Sequence, residues 1–172
     1  YNKVRYSLCS IAFDAERFAF GETVDTLFNA EKEGASASFP RVSPDGKWLV
    51  FTHHNYGNFP IWHRDADLWM INLATGEAHP MKTANSNNTE FYHSWSSNSR
   101  WMAFASRRND GLYTRAYLIY INDKGEESKP VMLPQKHPDF NKEFMCSYNI
   151  PELIQKEITI NTRELENLAR KE

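Results

Sequence analysis

The sequence predicts an all-β fold: a β-propeller fragment of half a blade and two four-stranded blades, followed by a short C-terminal helical tail. Three observations support this prediction. A segment of about 50 residues is repeated along the chain. Short apolar runs are separated by Gly, Pro, Asn and Asp, as is typical of strands joined by turns. The middle runs, WLVF and LWMI, are apolar on both faces of a strand, so protein must cover both faces.

The repeat consists of two aligned copies. FPRVSPDGKWLVF at 39–51 aligns without a gap with YHSWSSNSRWMAF at 92–104, and LWMIN at 68–72 aligns with LIYIN at 118–122. The predicted strands are Ala37–Val42, Trp48–Thr52, Asp67–Leu73 and Glu77–Met81 in the first copy, and Glu90–Trp95, Trp101–Ser106, Tyr117–Asn122 and Ser128–Leu133 in the second. Because a small sheet with two apolar faces cannot stand alone, the copies are predicted to stack as blades.

Each copy contains the same turn between its first and second strands. In SPDG, Pro44 presets φ at the first central position and Gly46 accepts the positive φ that follows. In SSNS, Asn98 is expected to adopt this left-handed geometry, since Asn tolerates it best after Gly. A tryptophan then starts each second strand, and we expect Trp48 and Trp101 to occupy similar buried environments.

The chain divides into a partial propeller at 1–134 and a C-terminal extension at 135–172. The propeller part is predicted to contain a half blade at 1–34, a blade at 35–83 and a blade at 84–134. These ten strands fall short of the roughly four to eight blades of closed propellers, so we expect upstream sequence or another chain to supply the missing blades. In the extension, the sequence predicts a short strand and then a helix starting near Asn161. The extension is either a packing arm or a lead into a further domain.

Composition argues against two classes of partner. Lys and Arg number 20 against 22 Asp and Glu, so there is no basic field to hold nucleic acid. Apolar runs are far shorter than the roughly 20 residues that span a bilayer, so no membrane insertion is predicted. Cys9 and Cys146 are too few for a disulfide framework and are expected to be buried free thiols.

The paired runs SPDGKWLVFT…ADLWMINLATGE and WSSNSRWMAFASRR…YLIYIN resemble the repeats of TolB-like propellers, which are built from WD40-like (PD40) blades. The resemblance covers residues 6–134. It departs from the family pattern in the second copy, at Ser97, Asn98 and Ser99 and at the dipeptide Ala116-Tyr117. The longer runs are similar to envelope-associated TolB-like proteins of Bacteroidetes-type bacteria. This resemblance implies a periplasmic or envelope-associated propeller that works through protein contacts, and it supplies no catalytic residue.

Loops on the two faces of the predicted propeller differ in length. One face carries tight turns, whereas the other, here called the long-loop face, carries the loops at 53–66 and 107–115 and the crossover at 83–89. Long loops on a rigid scaffold are typical of recognition surfaces. The predicted binding residues of this face are His53, His54, Tyr56, Trp62, His63, Arg64, Arg107, Arg108, Tyr113 and Arg115. Alternatively, the loop aromatics pack beneath their own loops; these are Tyr56, Phe59, Trp62 and Tyr113.

Several polar residues have more than one interpretation. No spacing brings the histidines at 53, 54, 63 and 93 to one point with Asp65 and Asp67, so no metal site is predicted. Asp67 is expected to bond backbone amides at the start of the third strand, and His93 to be a hydrogen-bonded structural residue beside the central channel. The arginines at 107, 108 and 115, with Asp110, either hold a carboxylate or phosphate, or form inter-blade salt bridges.

The sequence therefore predicts a non-catalytic interaction or scaffolding module that docks a protein or an envelope component, with no cofactor. Motifs that supply a nucleophile or cradle a phosphate are absent. One alternative is a metal-dependent carbohydrate-active enzyme, since some sugar lyases that resemble TolB-like propellers place a metal and several His in the channel. Another is the propeller cap of a serine peptidase, whose catalytic domain is not in this sequence.

Overall fold

The computed structural model describes residues 1–137, 139–157 and 159–170. Over these residues the chain forms ten β-strands in three antiparallel sheets, which confirms the predicted partial propeller. The strands are β1 (Leu8–Asp14), β2 (Ala19–Phe28), β3 (Ser36–Val42), β4 (Trp48–His54), β5 (Asp67–Asn72), β6 (Ala78–Pro80), β7 (Glu90–Trp95), β8 (Trp101–Ser106), β9 (Arg115–Tyr120) and β10 (Val131–Met132). The helices are α1 (Ala30–Glu33), a 3₁₀ turn (Pro60–Trp62), α2 (Phe140–Glu143) and α3 (Thr162–Ala169).

Each full blade is a meander whose strands pair in sequence order. The first blade is β3-β4-β5-β6, the second is β7-β8-β9-β10, and β1 and β2 form the half blade. Strand β10 is shorter than predicted, and Pro130, which has no N–H to donate, lies just before it. None of the helices in the described part of the chain is long and apolar enough to cross a membrane.

Strand pairing corrects the alignment of the third strands. Trp48 pairs with Asn72, whereas the equivalent Trp101 pairs with Tyr120. Asn72 therefore corresponds to Tyr120 and not to Asn122, so the sequence alignment was wrong by two residues. The sequence alignment matched Asn72 with Asn122 because each precedes a turn, but the pairing between strands determines which residues are equivalent.

The innermost strands of the two blades share one distortion. The β3–β4 pairing shifts between Ser38 and Arg41, and the β7–β8 pairing shifts at the matching place. Phe39 and Tyr92 lie in these bulges with φ of 54° and 48°, a conformation that bulky residues rarely adopt. Their ring centroids are 4.8 Å apart, so matching bulges bring equivalent aromatic residues of adjacent blades into contact.

Two hydrophobic cores cover the two faces of the first blade. Leu49 and Phe51 of β4 face the half blade, where they pack in one core with Phe28. Val50 faces the second blade and packs in the other core with Phe104. Alternate residues of a strand point to opposite faces, so one continuous apolar run supplies both cores. The prediction that WLVF and LWMI need protein on both sides is confirmed.

The expectation that the two repeated tryptophans have similar environments is wrong. Trp48 is 8% exposed, whereas Trp101 is 45% exposed. Trp48 lies between the blades, and its ring is so close to Gly125 that a Cβ there would be 2.6 Å from Trp48 Cη2. Trp101 lies on the outer face of the second blade, where Leu153 and Ile154 of the extension are its neighbours. The two environments differ because the second blade covers Trp48, whereas among the described residues only the extension lies beside Trp101.

The repeated turns have the same backbone geometry with different residues. Positive φ falls at Gly46 (72°) and at Ser99 (58°), so the expectation that Asn98 adopts it is wrong. Asn98 instead takes the role of Asp45: the side chain of each accepts a hydrogen bond of 2.6 Å from the serine two residues earlier. The amide of Asp45 donates to Ser99 Oγ at 2.9 Å, which joins the turns of the two blades directly.

The C-terminal extension packs against the second blade, as the packing-arm interpretation predicted. The Arg115 guanidinium is buried at the start of β9 and donates to the carbonyls of Cys146 at 2.7 Å, Phe144 at 2.8 Å and Asn141 at 2.9 Å. Ser94 Oγ donates to the carbonyl of Pro151 at 2.8 Å. The extension thereby covers part of the face where a following blade would lie.

The end of the extension differs in part from its prediction. Helix α3 begins after Asn161, whose side chain accepts a hydrogen bond from the amide of Arg163 at 3.1 Å. The predicted strand before it falls partly on residue 158, which lies outside the described residues, and the described residues beside it form no strand.

Both cysteines are free and exposed, so the expectation of buried thiols is wrong. Cys9 lies on β1, a strand of the half blade, and most side chains of this two-stranded sheet are exposed. Cys146 lies in the extension, where its carbonyl accepts from Arg115.

Candidate binding face

The loop between β4 and β5 is anchored at several points to the blade beneath it. His54 Nδ1 donates to the carbonyl of Tyr56 at 2.8 Å, and His54 Nε2 accepts from Ser38 Oγ at 2.8 Å. Burial lowers the pKa of His54 to about 4, so its ring is neutral and fits this donor and acceptor pair. Asn55 N donates to Asp65 Oδ2 at 2.7 Å, which closes the loop on itself. The loop is therefore a fixed part of the surface.

This anchored loop presents two large aromatic side chains to solvent. Pro60 is buried at the first position of the 3₁₀ turn, where its fixed φ suits a helical start. Phe59 on one side of the turn is 70% exposed and Trp62 at its end is 71% exposed. Tyr56 is half-buried against the ring of His63, at 4.5 Å between centroids. The alternative of packed loop aromatics therefore applies to Tyr56 and not to Phe59 or Trp62.

The crossover to the second blade is held by a buried carboxylate. Glu90 Oε1 accepts from Ser106 Oγ and Ser86 Oγ, each at 2.7 Å, and pairs with Arg108 at 3.2 Å. Burial raises the pKa of Glu90, although these partners oppose the shift. Arg108 also stacks on the ring of Tyr117, 4.5 Å from its centroid. This ion pair lies within the second blade, so it is not the inter-blade salt bridge that the sequence suggested.

Arg107 differs from its neighbour Arg108 in its contacts, because its guanidinium stacks on an exposed aromatic ring. Its Cζ is 3.7 Å from the centroid of the Trp62 ring, and the residue is 6% exposed. Burial lowers its pKa, and the charge of Asp110 opposes this shift. Asp110 itself accepts hydrogen bonds from the amides of Leu112 and Tyr113, both at 2.8 Å. A cationic group thus lies directly against the most exposed aromatic side chain of the loop.

The expected role of Asp67 is wrong. Its carboxylate accepts no hydrogen bond from the described residues, and burial raises its pKa to about 6. Asn85 ties this part of β5 instead: its Oδ1 accepts from the amide of Leu68 at 2.8 Å, and its Nδ2 donates to the Leu68 carbonyl at 3.0 Å. From the sequence, Asp67 was the polar residue next to this backbone. The residue that bonds the Leu68 backbone comes instead from the crossover, which is distant in the sequence.

The expected role of His93 is confirmed. It is buried on β7, and its Nε2 donates to the carbonyl of Val50 at 2.8 Å. Burial lowers the pKa of His93 to about 4. This bond joins the innermost strand of the second blade to the second strand of the first.

No cluster of three or more His, Cys, Asp or Glu side chains converges on one point among the described residues. His54 and His93 each use a ring nitrogen in a structural hydrogen bond. His53 stacks on Trp69, with ring centroids 4.5 Å apart. The sugar-lyase alternative therefore stays a prediction for which this part of the chain offers no ligand set.

The ten predicted binding residues differ in accessibility. Trp62 and Arg64 are exposed; those half-buried are His53, Tyr56, His63, Arg108 and Tyr113; and those buried are His54, Arg107 and Arg115. Strand β9 begins at Arg115, so this arginine lies on a strand and not in the predicted loop. Phe59 was missing from the predicted set. Its signal was the following Pro60, which restricts the preceding residue and marks the start of a turn.

The chain matches no protein-family model. It also matches no curated protein sequence.

Several solved structures are similar to the chain. One is the β-propeller domain of the Trilobed protease from Pyrococcus furiosus, which has an open velcro topology; the identity is 15%, the TM-score is 0.43, and the match covers 76% of this chain and 36% of that one. Another is a putative dipeptidyl aminopeptidase IV from Bacteroides ovatus, with 16% identity, a TM-score of 0.44, and coverage of 74% and 24%.

A third similar structure is an acylaminoacyl peptidase from Pyrococcus horikoshii, with 16% identity, a TM-score of 0.39, and coverage of 76% and 23%. The chain thus spans between 23% and 36% of the length of these three matched chains. Its ten described strands form an open segment of a β-propeller.

Proposed function

We propose that this chain is a non-catalytic interaction module, a TolB-like propeller segment that docks a protein partner on its long-loop face in the bacterial cell envelope. The observation that carries the proposal is the exposure of Phe59 and Trp62 on an anchored loop. Aromatic side chains and arginine are enriched among the residues that dominate binding energy at protein interfaces. Trp62 and Arg107 bring these two residue types together.

Rigidity of the loop favours the same conclusion. A loop that must be ordered on binding loses conformational entropy, which weakens the complex. The bonds of His54 to Tyr56 and of Asn55 to Asp65 fix the loop before a partner arrives. Thr89 Oγ1 also donates to the carbonyl of His63 at 2.8 Å, which links the loop to the crossover.

Envelope location rests on the resemblance of the paired turn motifs to TolB-like repeats. The non-catalytic role is supported by how the titratable groups are used. Glu90 is paired and hydrogen-bonded, and His54 and His93 bond backbone carbonyls, so each of these groups has a structural task.

Site-specific photo-crosslinking in the source cells tests the proposed docking face. A photoreactive amino acid at Phe59 should give a covalent adduct of discrete mass, because a bound partner would cover this exposed side chain. The matched control position is Thr75, which is exposed in the tight turn after β5 on the opposite face. Adding Trp62→Ala should reduce the adduct at Phe59. Equal adducts at both positions, or none at Phe59, would contradict the proposal.

The proposed location has its own test, because both cysteines are exposed. A thiol reagent that crosses the outer membrane but not the inner one should label Cys9 and Cys146 in intact cells. Labelling that appears only after cell lysis would place the protein elsewhere.

A further inference from the structure

Arg107 and Arg108, in the loop after β8, and Arg115, at the start of β9, differ in what their guanidinium groups contact. Arg108 pairs with Glu90 and donates from Nε to Ser106 Oγ at 2.9 Å. Arg115 donates to carbonyls of the extension. Arg107 has neither kind of partner: no carboxylate among the described residues lies within salt-bridge distance, and none of its guanidinium nitrogens has a hydrogen-bond acceptor there. Two of the three therefore hold the fold, and one retains its capacity to bind.

The environment of Arg107 makes this open capacity unusual. The residue is almost entirely buried, and its Nε is fully enclosed without an acceptor. Its two terminal nitrogens have no acceptor among the described residues either, but unlike Nε they are not fully enclosed, so the small exposed part of this residue lies at that edge. A charge removed from water without a partner is unfavourable, and arginine keeps its charge at any physiological pH. The Trp62 ring compensates on one face only, through a cation–π contact.

Neighbouring groups do not supply the missing acceptor. Asp110 is the nearby carboxylate that acts on Arg107, and its Oδ1 is already bonded to two amides of its own loop. Trp62 is flanked by His63, whose Nδ1 is also buried without a partner. Buried polar atoms without partners are few in folded proteins, and two of them lie on residues next to or in contact with Trp62.

We propose that Arg107 and Trp62 form a carboxylate subsite that receives an Asp or Glu side chain of the docked protein. This inference rests on the proposed interaction role and names the chemistry of the partner. The accessible edge of the guanidinium presents parallel N–H donors, the arrangement that binds a carboxylate through two hydrogen bonds. The exposed ring of Trp62, which stacks on this guanidinium, offers apolar surface for the stem and the neighbouring residues of the acidic side chain.

A titration with small probes tests the subsite directly. N-acetyl-glutamate N-methylamide is added to the ¹⁵N-labelled chain, and the side-chain signals of Arg107 Nε–H and Trp62 Nε1–H are followed by NMR. Both signals should shift saturably. The uncharged glutamine counterpart should cause at most about a tenth of the shift at the same concentration, because it lacks the charge that strengthens the hydrogen bonds. Equal responses to the two probes would overturn the proposal.

Variants separate binding from folding in the same spectra. Arg107→Met should weaken glutamate binding at least about tenfold. Arg107→Lys should also weaken glutamate binding, because an ammonium lacks the planar pair of donors of a guanidinium. Since the Lys variant keeps the positive charge, it can be used for the test if the Met variant fails to fold. Arg100→Met is the matched control, since Arg100 pairs with Asp123 on the opposite face and should not affect the titration. Unchanged binding in the folded Lys variant would overturn the proposal.

Two further results distinguish related explanations. A response to inorganic phosphate at a lower concentration than to the glutamate probe would overturn the carboxylate assignment. The photo-adduct at Phe59 should decrease at least about tenfold in Arg107→Met. An adduct of equal yield in this variant would overturn the subsite and leave the docking face intact, whereas the absence of any adduct with Arg107 in place would contradict the docking face itself.

Discussion

The first and second blades carry the same turn motif and the same strand order, yet one is covered on both faces and the other is not. The half blade and the second blade enclose the first blade. The second blade has the first blade on one face and the C-terminal extension on part of the other. The difference appears at equivalent residues, Trp48 and Trp101, which are buried and half-exposed. A repeated motif thus determines a turn and a strand, whereas the neighbouring layer determines how much each side chain stabilises the fold.

The largest expected effect compares the two tryptophans directly. Trp48→Ala should lower the free energy of unfolding by about 3–5 kcal/mol, because it leaves a cavity between two blades. Trp101→Ala should lower it by about 1 kcal/mol, because much of this ring is already in water. Urea unfolding of both variants measures the difference. Equal losses would show that the last blade is covered as fully as the first.

The second prediction concerns the partial cover of the last blade. Arg115→Met should lower the free energy of unfolding by about 2–3 kcal/mol, because the carbonyls of the extension lose a charged donor. Limited proteolysis should cut the extension of this variant faster while the first blade stays intact. Arg163→Met is a suitable control, since this exposed arginine lies on α3. An unchanged cleavage rate in Arg115→Met would show that other contacts hold the extension.

The third prediction uses the bond that His93 makes between the blades. Its pKa in the folded chain is about 4, below the ordinary value of 6.5, so the unfolded chain binds more protons between these values. Stability should therefore fall as the pH falls from 6.5, by about 2 kcal/mol at pH 5 from this residue. His93→Gln should flatten this dependence in thermal unfolding between pH 7 and 5.

Other groups also titrate between pH 7 and 5, so the stability of wild type depends on pH for more than one reason. The test therefore compares the pH dependence of unfolding in His93→Gln with that in wild type. Burial lowers the pKa of His54 to about 4 and acts in the same direction as His93. Asp67, with a pKa raised to about 6, acts in the opposite direction, because stability from it is present at low pH and lost as the pH rises through 6. A pH dependence identical in wild type and His93→Gln would contradict the prediction.

The smallest expected effect compares the two turns. Gly46→Ala should lower the free energy of unfolding by about 1 kcal/mol, because φ is 72° there and a Cβ disfavours it. Ser99→Gly at the equivalent position should change stability by less than about 0.5 kcal/mol. It relieves the same backbone strain, but it removes the hydroxyl that accepts from the amide of Asp45. A clear gain in stability would show that this inter-turn bond contributes little.

Much of the fold could be predicted because the strands follow local patterns. Strands β7 and β8 have the predicted bounds, and the doubly buried runs of β4 and β5 lie between two cores. The register of β9 could not be read from the sequence, since it depends on which residues of β8 it pairs with. Ser99 was overlooked for a related reason: a strained φ at a serine is tolerated because another blade bonds its hydroxyl.

The candidate site was harder to predict than the fold. Trp62 and Arg64 are exposed as the loop pattern indicated, but His54 and Arg115 are enclosed by their own hydrogen bonds. Adjacent Arg107 and Arg108 look alike in the sequence, and only tertiary contacts separate the paired group from the open one. Residue type and loop length thus locate a face, whereas the accessible atoms depend on packing between distant segments.

Gly125 links the spacing of the two blades to a single missing side chain. Trp48 occupies the volume that any β-carbon at this position would need, and φ at Gly125 is 81°. A larger residue there would push the second blade's hairpin away from the first blade unless the tryptophan became smaller at the same time. In homologous chains, positions 48 and 125 are therefore expected to vary as a pair.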